Sequence, residues 1–396
     1  MDRLSAPVRP YAWGDTAFIA ELQGRQPGSS PEAELWMGAH PSAPGMLERS
    51  GRDLAAHIAA DPAAALGAAA GFGELPFLAK VLAAAQPLSI QVHPSRAQAV
   101  EGFERENRRG LPLDDPARSY RDPHHKPELV CALTPFDAKC GFRPVAGTLE
   151  LIAFLDHPGL RPLERRLRGG DDAEVLRDVL GWLLTADASE TTGLTDALVE
   201  ACDRSGQGPW KAETDWTTRL HALHPGDAGI VVALLLNHVH LEPGDGLALG
   251  AGLLHSYLHG AAVEVMANSD NVVRGGLTPK HVDVPELLRI VDCHPTTPLV
   301  DSPTGPIHTY HSGAAEFEVS RLVLDGHHGA RVVGPEILVV TEGSFRLTGA
   351  DRTFELGPGQ PIWIDAADGH WSADGTGTLF RVTTPSSSEA TNSGTE

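Results

Sequence analysis

The stretch Pro87-Leu88-Ser89-Ile90-Gln91-Val92-His93-Pro94 alternates polar and apolar side chains. In an extended strand, that alternation sends Ser89, Gln91 and His93 to one face and Ile90 and Val92 to the other. Further along, His124-His125-Lys126-Pro127-Glu128 sets a proline after Lys126. A residue before proline prefers extended backbone, so Lys126 and Glu128 are placed on a common face. His255 opens a third segment, 255–280, where His, Tyr, Glu, Asp, Asn, Arg and Lys crowd among apolar residues. Gln91, His93, Glu128 and His255 together offer an amide oxygen, a carboxylate and two imidazoles. Such a set suits zinc, and also accommodates manganese, cobalt, nickel or iron. With one anionic ligand, a divalent ion keeps positive charge within its inner shell and stays a Lewis acid, which points to catalysis rather than to structure alone. Glu264, between Val263 and Val265, is costly to bury unless a partner neutralises it.

These groups need elements to hold them. Residues 77–84 and 88–92 are apolar enough for buried strands. Asp61-Pro62 caps a helix expected over 63–70, and Ser95 caps another expected over 96–108. From 148 to 223 the pattern becomes helical: Leu149, Ile152, Ala153 and Leu155, then Val175, Leu176, Val179, Leu180 and Leu183, then Leu194, Leu198 and Val199. About four helices are expected there, as an insert covering the site. Strand and turn are expected from Pro225 to about Thr384, and a disordered tail beyond, where no core-forming side chain remains. Leu241-Glu242-Pro243-Gly244-Asp245 leads through an apolar run to His255, and Leu356-Gly357-Pro358-Gly359-Gln360 leads to His370 at the same spacing. A turn, a strand and a histidine in that rhythm resemble the second conserved motif of the cupin superfamily, small jelly-roll barrels. Two copies imply two barrels.

Composition narrows the function classes. The chain has 396 residues, enough for two or three domains. Its 31 basic and 52 acidic residues leave a net charge of −21. That field repels nucleic acid, and an anionic substrate would need basic residues gathered locally. Nothing approaches the length of a transmembrane helix, and no apolar run near the first residues reads as a signal peptide. The four cysteines (Cys131, Cys140, Cys202 and Cys293) form no CxxC pair, so a reduced, cytoplasmic setting is expected. The 42 glycines and 31 prolines favour short strands and turns over a helical bundle.

Tyr120-Arg121-Asp122-Pro123-His124-His125-Lys126-Pro127-Glu128 and the 255–280 segment resemble the two signatures of type I mannose-6-phosphate isomerases, a family of zinc-dependent cupin enzymes. His124 stands where that family usually has Asn, and Ser256 and Gly275 stand where Ala is usual. Tyr11-Ala12-Trp13-Gly14, Glu34-Leu35-Trp36-Met37-Gly38 and residues 76–94 are similar to further family segments, so the resemblance spans residues 5 to 300. It implies a mainly β fold with a helical insert: two cupin-like jelly-roll barrels plus an α-helical domain. The catalytic barrel would take residues 1–147 and 224–300, the insert 148–223, a metal-free second barrel 301–385, and the tail 386–396. His370 is then a surface or packed histidine, since 336–347 offers it no partner ligands.

The resemblance also implies one zinc ion per chain on Gln91, His93, Glu128 and His255, and an active-site arginine at Arg274. It places Trp13, Lys80, Ser89, Lys126, Tyr257, Glu264 and Lys280 around a sugar phosphate. The implied reaction interconverts D-mannose 6-phosphate and D-fructose 6-phosphate through a cis-enediol. Lys126, Glu264 and Asp270 are candidate bases by residue type, and Lys80, Arg274 and Lys280 are candidate cations for the phosphate. The rival readings are a cupin isomerase or epimerase of another sugar phosphate, and a non-catalytic sugar-phosphate-binding bicupin. Oligomeric state is not legible.

Overall fold

The computed structural model describes residues 1–385; the expected tail, 386–396, lies outside them. Helix and strand each account for 31% of the fold. The strands form one 11-stranded and one 8-stranded sheet. In the larger sheet, His255–Ala267 is the organising strand. Its second half pairs antiparallel with Phe77–Ala84 and Glu128–Ala132, and its first half with Ile90–Val92 and Phe136–Phe142. The smaller sheet is built on three long antiparallel strands, Glu318–Arg331, Glu336–Thr348 and His370–Thr383.

The sheets exchange chain. Asp2–Ser5 pairs with Pro361–Ile364 of the smaller sheet, and Val300–Asp301 pairs with Gly246–Leu249 of the larger. Between them lies a common apolar layer that includes Phe77, Val81, Leu129 and Val263 from one side and Ile337, Val339, Trp363 and Phe380 from the other.

Local signals largely did what their chemistry requires. Ser95 caps the helix Arg96–Arg108 with a reciprocal box through Gln98. The Asp61-capped helix is shorter than expected: Pro62–Leu66 is α-helical, and Gly67, at φ 54°, tightens the chain into a 3₁₀ turn over Gly67–Phe72. The helical region is larger than expected. Six helices run from Val145–Leu155 to Gly229–Leu235, and a further one spans Val284–Ile290. The expectation of strand and turn from Pro225 onward is corrected at both late helices. Gly229–Leu235 reads GIVVALL and is buried on every side, so a β-branched apolar run carries no period that separates helix from strand. The helical array packs its apolar faces against Ile90, Val92, Leu258 and Val273 of the larger sheet. No helix among the described residues is long and apolar enough to cross a membrane.

Candidate active site

The helix-facing side of Ile90 and Val92 leaves Gln91 and His93 on the opposite face, as their alternation demands. Register then aligns a row of side chains. His255 pairs directly with Gln91, and Gln91 with Arg274 on the strand Val273–Gly276. Directly opposed residues project to the same face, so imidazole, amide and guanidinium stand side by side.

His93, Glu128 and His255 converge, with one ligand atom from each within 4.8 Å of the others, and all three are buried. Their tautomers are fixed from behind. His93 Nδ1 donates to the Asn271 carbonyl at 2.7 Å, and His255 Nδ1 to the Leu253 carbonyl at 2.8 Å. Both Nε2 lone pairs therefore point inward. Burial pushes His93 down to about 4, so its imidazole is neutral at physiological pH. His93 Nε2, His255 Nε2 and Glu128 Oε2 are buried with no hydrogen-bond partner. Orphaned buried acceptors are costly, and three aimed at one point fit a divalent cation.

Around this point stand the other expected residues. Lys126 Nζ lies 3.0 Å from Glu128 Oε1. Burial opposes ionisation of Glu128, but the Lys126 ammonium outweighs it and holds the carboxyl well below its ordinary range. The Tyr257 hydroxyl is buried without a partner, its ring edge-on to Phe136. Trp13 is half-buried against the Tyr257 cluster, and Ser89 is half-buried just ahead of Ile90–Val92.

Lys80 departs from its expected role as a phosphate cation. Its ammonium is 6% exposed and already neutralised twice, by Glu264 at 2.8 Å and Glu34 at 3.3 Å. Burial pulls Lys80 down, but those carboxylates outweigh it and raise it above its ordinary value. Glu264 thereby has the partner its apolar neighbours require. Burial, with Glu128 and Glu34 nearby, still raises its carboxyl above the usual range. Asp270 makes no ion pair with Arg274; its carboxylate lies 3.3 Å from His40 Nε2.

The site's free cations are Arg274, Lys280 and Arg121. None has an ion pair among the described residues, and they repel one another. Burial and then Arg121 hold Arg274 below its ordinary value, and burial, Arg274 and Arg121 do the same to Lys280. Arg121, His40 and Asn271 were missed by sequence reasoning. Asn271 is fully buried; its Oδ1 accepts from the Arg121 backbone at 2.7 Å and its Nδ2 donates to the Asp122 and His124 carbonyls at 2.8 Å. It ties the 121–124 segment to His93. The sequence signals were available but faint: Arg121 stands within the first signature, and His40-Pro41 repeats the His93-Pro94 dipeptide.

A β scaffold that buries an imidazole–carboxylate donor set beside unpaired cations defines a class, the metal-dependent enzymes. The profile of the family "Phosphomannose isomerase type I, catalytic domain" matches residues 1–145. The mannose-6-phosphate isomerase of Escherichia coli (strain K12) is 38% identical over 400 residues, covering 96% of this chain and 99% of its own. The apo form of mannose 6-phosphate isomerase from Salmonella typhimurium matches at a TM-score of 0.89 and 38% identity, covering 98% of this chain and 99% of its own. A zinc-bound, holo mannose 6-phosphate isomerase matches at a TM-score of 0.89 and 36% identity, covering 97% and 99%. The chain belongs to the mannose-6-phosphate isomerase family.

Proposed function

We propose that this protein interconverts D-mannose 6-phosphate and D-fructose 6-phosphate, with one zinc ion held by Gln91, His93, Glu128 and His255. The observation that carries the reading is the meeting of orphaned inward-facing ligand atoms with cations that have no acidic partner. Zinc, when bound, acts as a Lewis acid toward the carbonyl and hydroxyl oxygens. The remaining work falls to side chains. A base takes the proton from C2 of the aldose and returns it to C1 on the same face, through a cis-enediol. Glu264, raised by burial, is a better proton acceptor than Asp270, whose carboxyl is held low, and Asp270 receives sugar hydroxyls at the rim. Lys126 stays against Glu128. Arg274 stabilises the negative charge of the enediolate, and Arg121 and Lys280 hold the phosphate. Tyr257, Trp13 and Ser89 line the sugar.

We read the architecture as two cupin-like barrels, catalytic (1–147 and 224–300) and metal-free (301–385), with residues 148–223 as the helical insert and the first strand lent to the second barrel. Four free, buried cysteines support a reducing, cytoplasmic setting. An assay of fructose 6-phosphate formed from mannose 6-phosphate, with and without chelator, tests the function. Turnover that chelator abolishes and zinc restores is expected; activity on glucose 6-phosphate in place of mannose 6-phosphate would favour the rival isomerase.

A further inference from the structure

His40 follows the strand Glu34–Gly38, is 5% exposed and packs edge-on against Trp36 at 4.9 Å. The Ser42 backbone N–H donates to His40 Nδ1 at 3.2 Å, and Ser42 Oγ lies 2.9 Å from the same nitrogen. A backbone N–H can only donate, so Nδ1 is the acceptor and the ring proton sits on Nε2. Asp270 Oδ1 lies 3.3 Å from that Nε2. Asp270 is otherwise held by its backbone, whose N–H donates to Asp122 Oδ2 at 2.9 Å. The charged groups that reach its carboxylate are His40 from one side and Lys126 and Arg121 from the 121–126 segment.

We infer that His40 is a positioning residue for the reaction, a buried imidazole of fixed tautomer that aims the Asp270 carboxylate at the sugar. This rests on the reading of Asp270 as a substrate contact. Asp270 is the exposed end of the pair, with a side chain 44% accessible, while His40 is shut behind Trp36. Without His40, Asp270 loses the contact that most strongly holds its carboxyl low and is free to turn toward solvent.

The test uses zinc-loaded enzyme and mannose 6-phosphate. His40→Phe keeps an aromatic edge on Trp36 but has no N–H, whereas His40→Gln retains a donor. His40→Phe is expected to lower kcat/KM about tenfold, with zinc content by mass spectrometry unchanged. His40→Gln should recover most of the loss. Combined with Asp270→Asn, His40→Phe should cost little further, because the two residues act as one unit. Equal losses in His40→Phe and His40→Gln, or full additivity with Asp270→Asn, overturns the inference. Absence of isomerase activity in the unmodified enzyme would instead overturn the function on which it rests.

Discussion

The two sheets share antiparallel pairing and long central strands but fill their interiors in opposite ways. In the smaller sheet, Leu338, Val340, Phe345, Leu347, Ile362, Ile364 and Trp371 make an apolar interior. Its fully buried Glu336 is met on both oxygens, by Trp371 Nε1 and by Arg381. The larger sheet buries Lys80, His93, Lys126, Glu128, His255 and Glu264 and brings three unanswered ligand atoms, on His93, Glu128 and His255, to one point. His370, the positional counterpart of His255, is exposed. One interior is thus arranged for packing, and the other tolerates electrostatic cost where a ligand would relieve it.

That contrast can be broken by mutation. The largest effect is expected from His255→Ala, which removes an inward-facing imidazole. Zinc content by mass spectrometry should fall together with activity, the latter by about 10³-fold or more, with the circular dichroism of the fold retained. One zinc per chain in that variant would remove His255 from the ligand set. The converse change is Trp371→Ala in the apolar interior. It should cost about 3–5 kcal/mol in denaturant unfolding, while the folded fraction keeps its zinc and turnover. Loss of zinc in folded Trp371→Ala would show that the two interiors are coupled.

Arg274→Ala tests whether the cation beside Gln91 belongs to the chemical step. We expect kcat to fall by roughly 10²-fold with zinc retained, and Arg274→Lys to recover little, since an ammonium cannot reproduce a planar fork. A kcat within a few-fold of the unmodified enzyme would confine Arg274 to binding.

The smallest effect concerns Lys139, 2% exposed between the larger sheet and the helices, with no ion pair among the described residues. Burial, then Arg143, pushes its ammonium from 10.5 down to about 7. Between those values the unfolded chain holds a proton that the folded chain has released, so burying Lys139 costs stability near pH 7 and that cost fades as pH rises toward 10.5. Lys139→Met should therefore raise Tm at pH 7 and bring little gain near pH 10. An equal shift at both pH values would show that Lys139 is neutral, or paired, throughout.

Much of this was legible in the sequence because it rests on short-range chemistry. Alternation over 87–94 put Gln91 and His93 on one face; Ser95 and Gln98 fixed a helix start; the 148–223 periodicity announced the helical array. The composition of the donor set named a cation before any contact was known. Apolar runs without a period, such as 229–235, were silent about helix or strand.

Other features were decided only in three dimensions. The fate of Lys80 depends on its being flanked by two strands that bring Trp36 to one side and Glu264 to the other. His40 and Asp270 meet across a long stretch of chain. The clearest case lies within one strand. His255 and Tyr257 are odd-numbered and Glu264 is even, so in a regular strand they would face opposite ways. A bulge between Tyr257 and His259 shifts the register against Phe136–Phe142, and Gly260 takes φ 117° where a Cβ would lie 2.6 Å from the Pro135 carbonyl. The extra residue reverses the parity of the rest of the strand, and His255, Tyr257 and Glu264 come to share one interior. The residue types in 255–267 declare a chemistry, but that they can act together depends on a bulge set by the neighbouring strand.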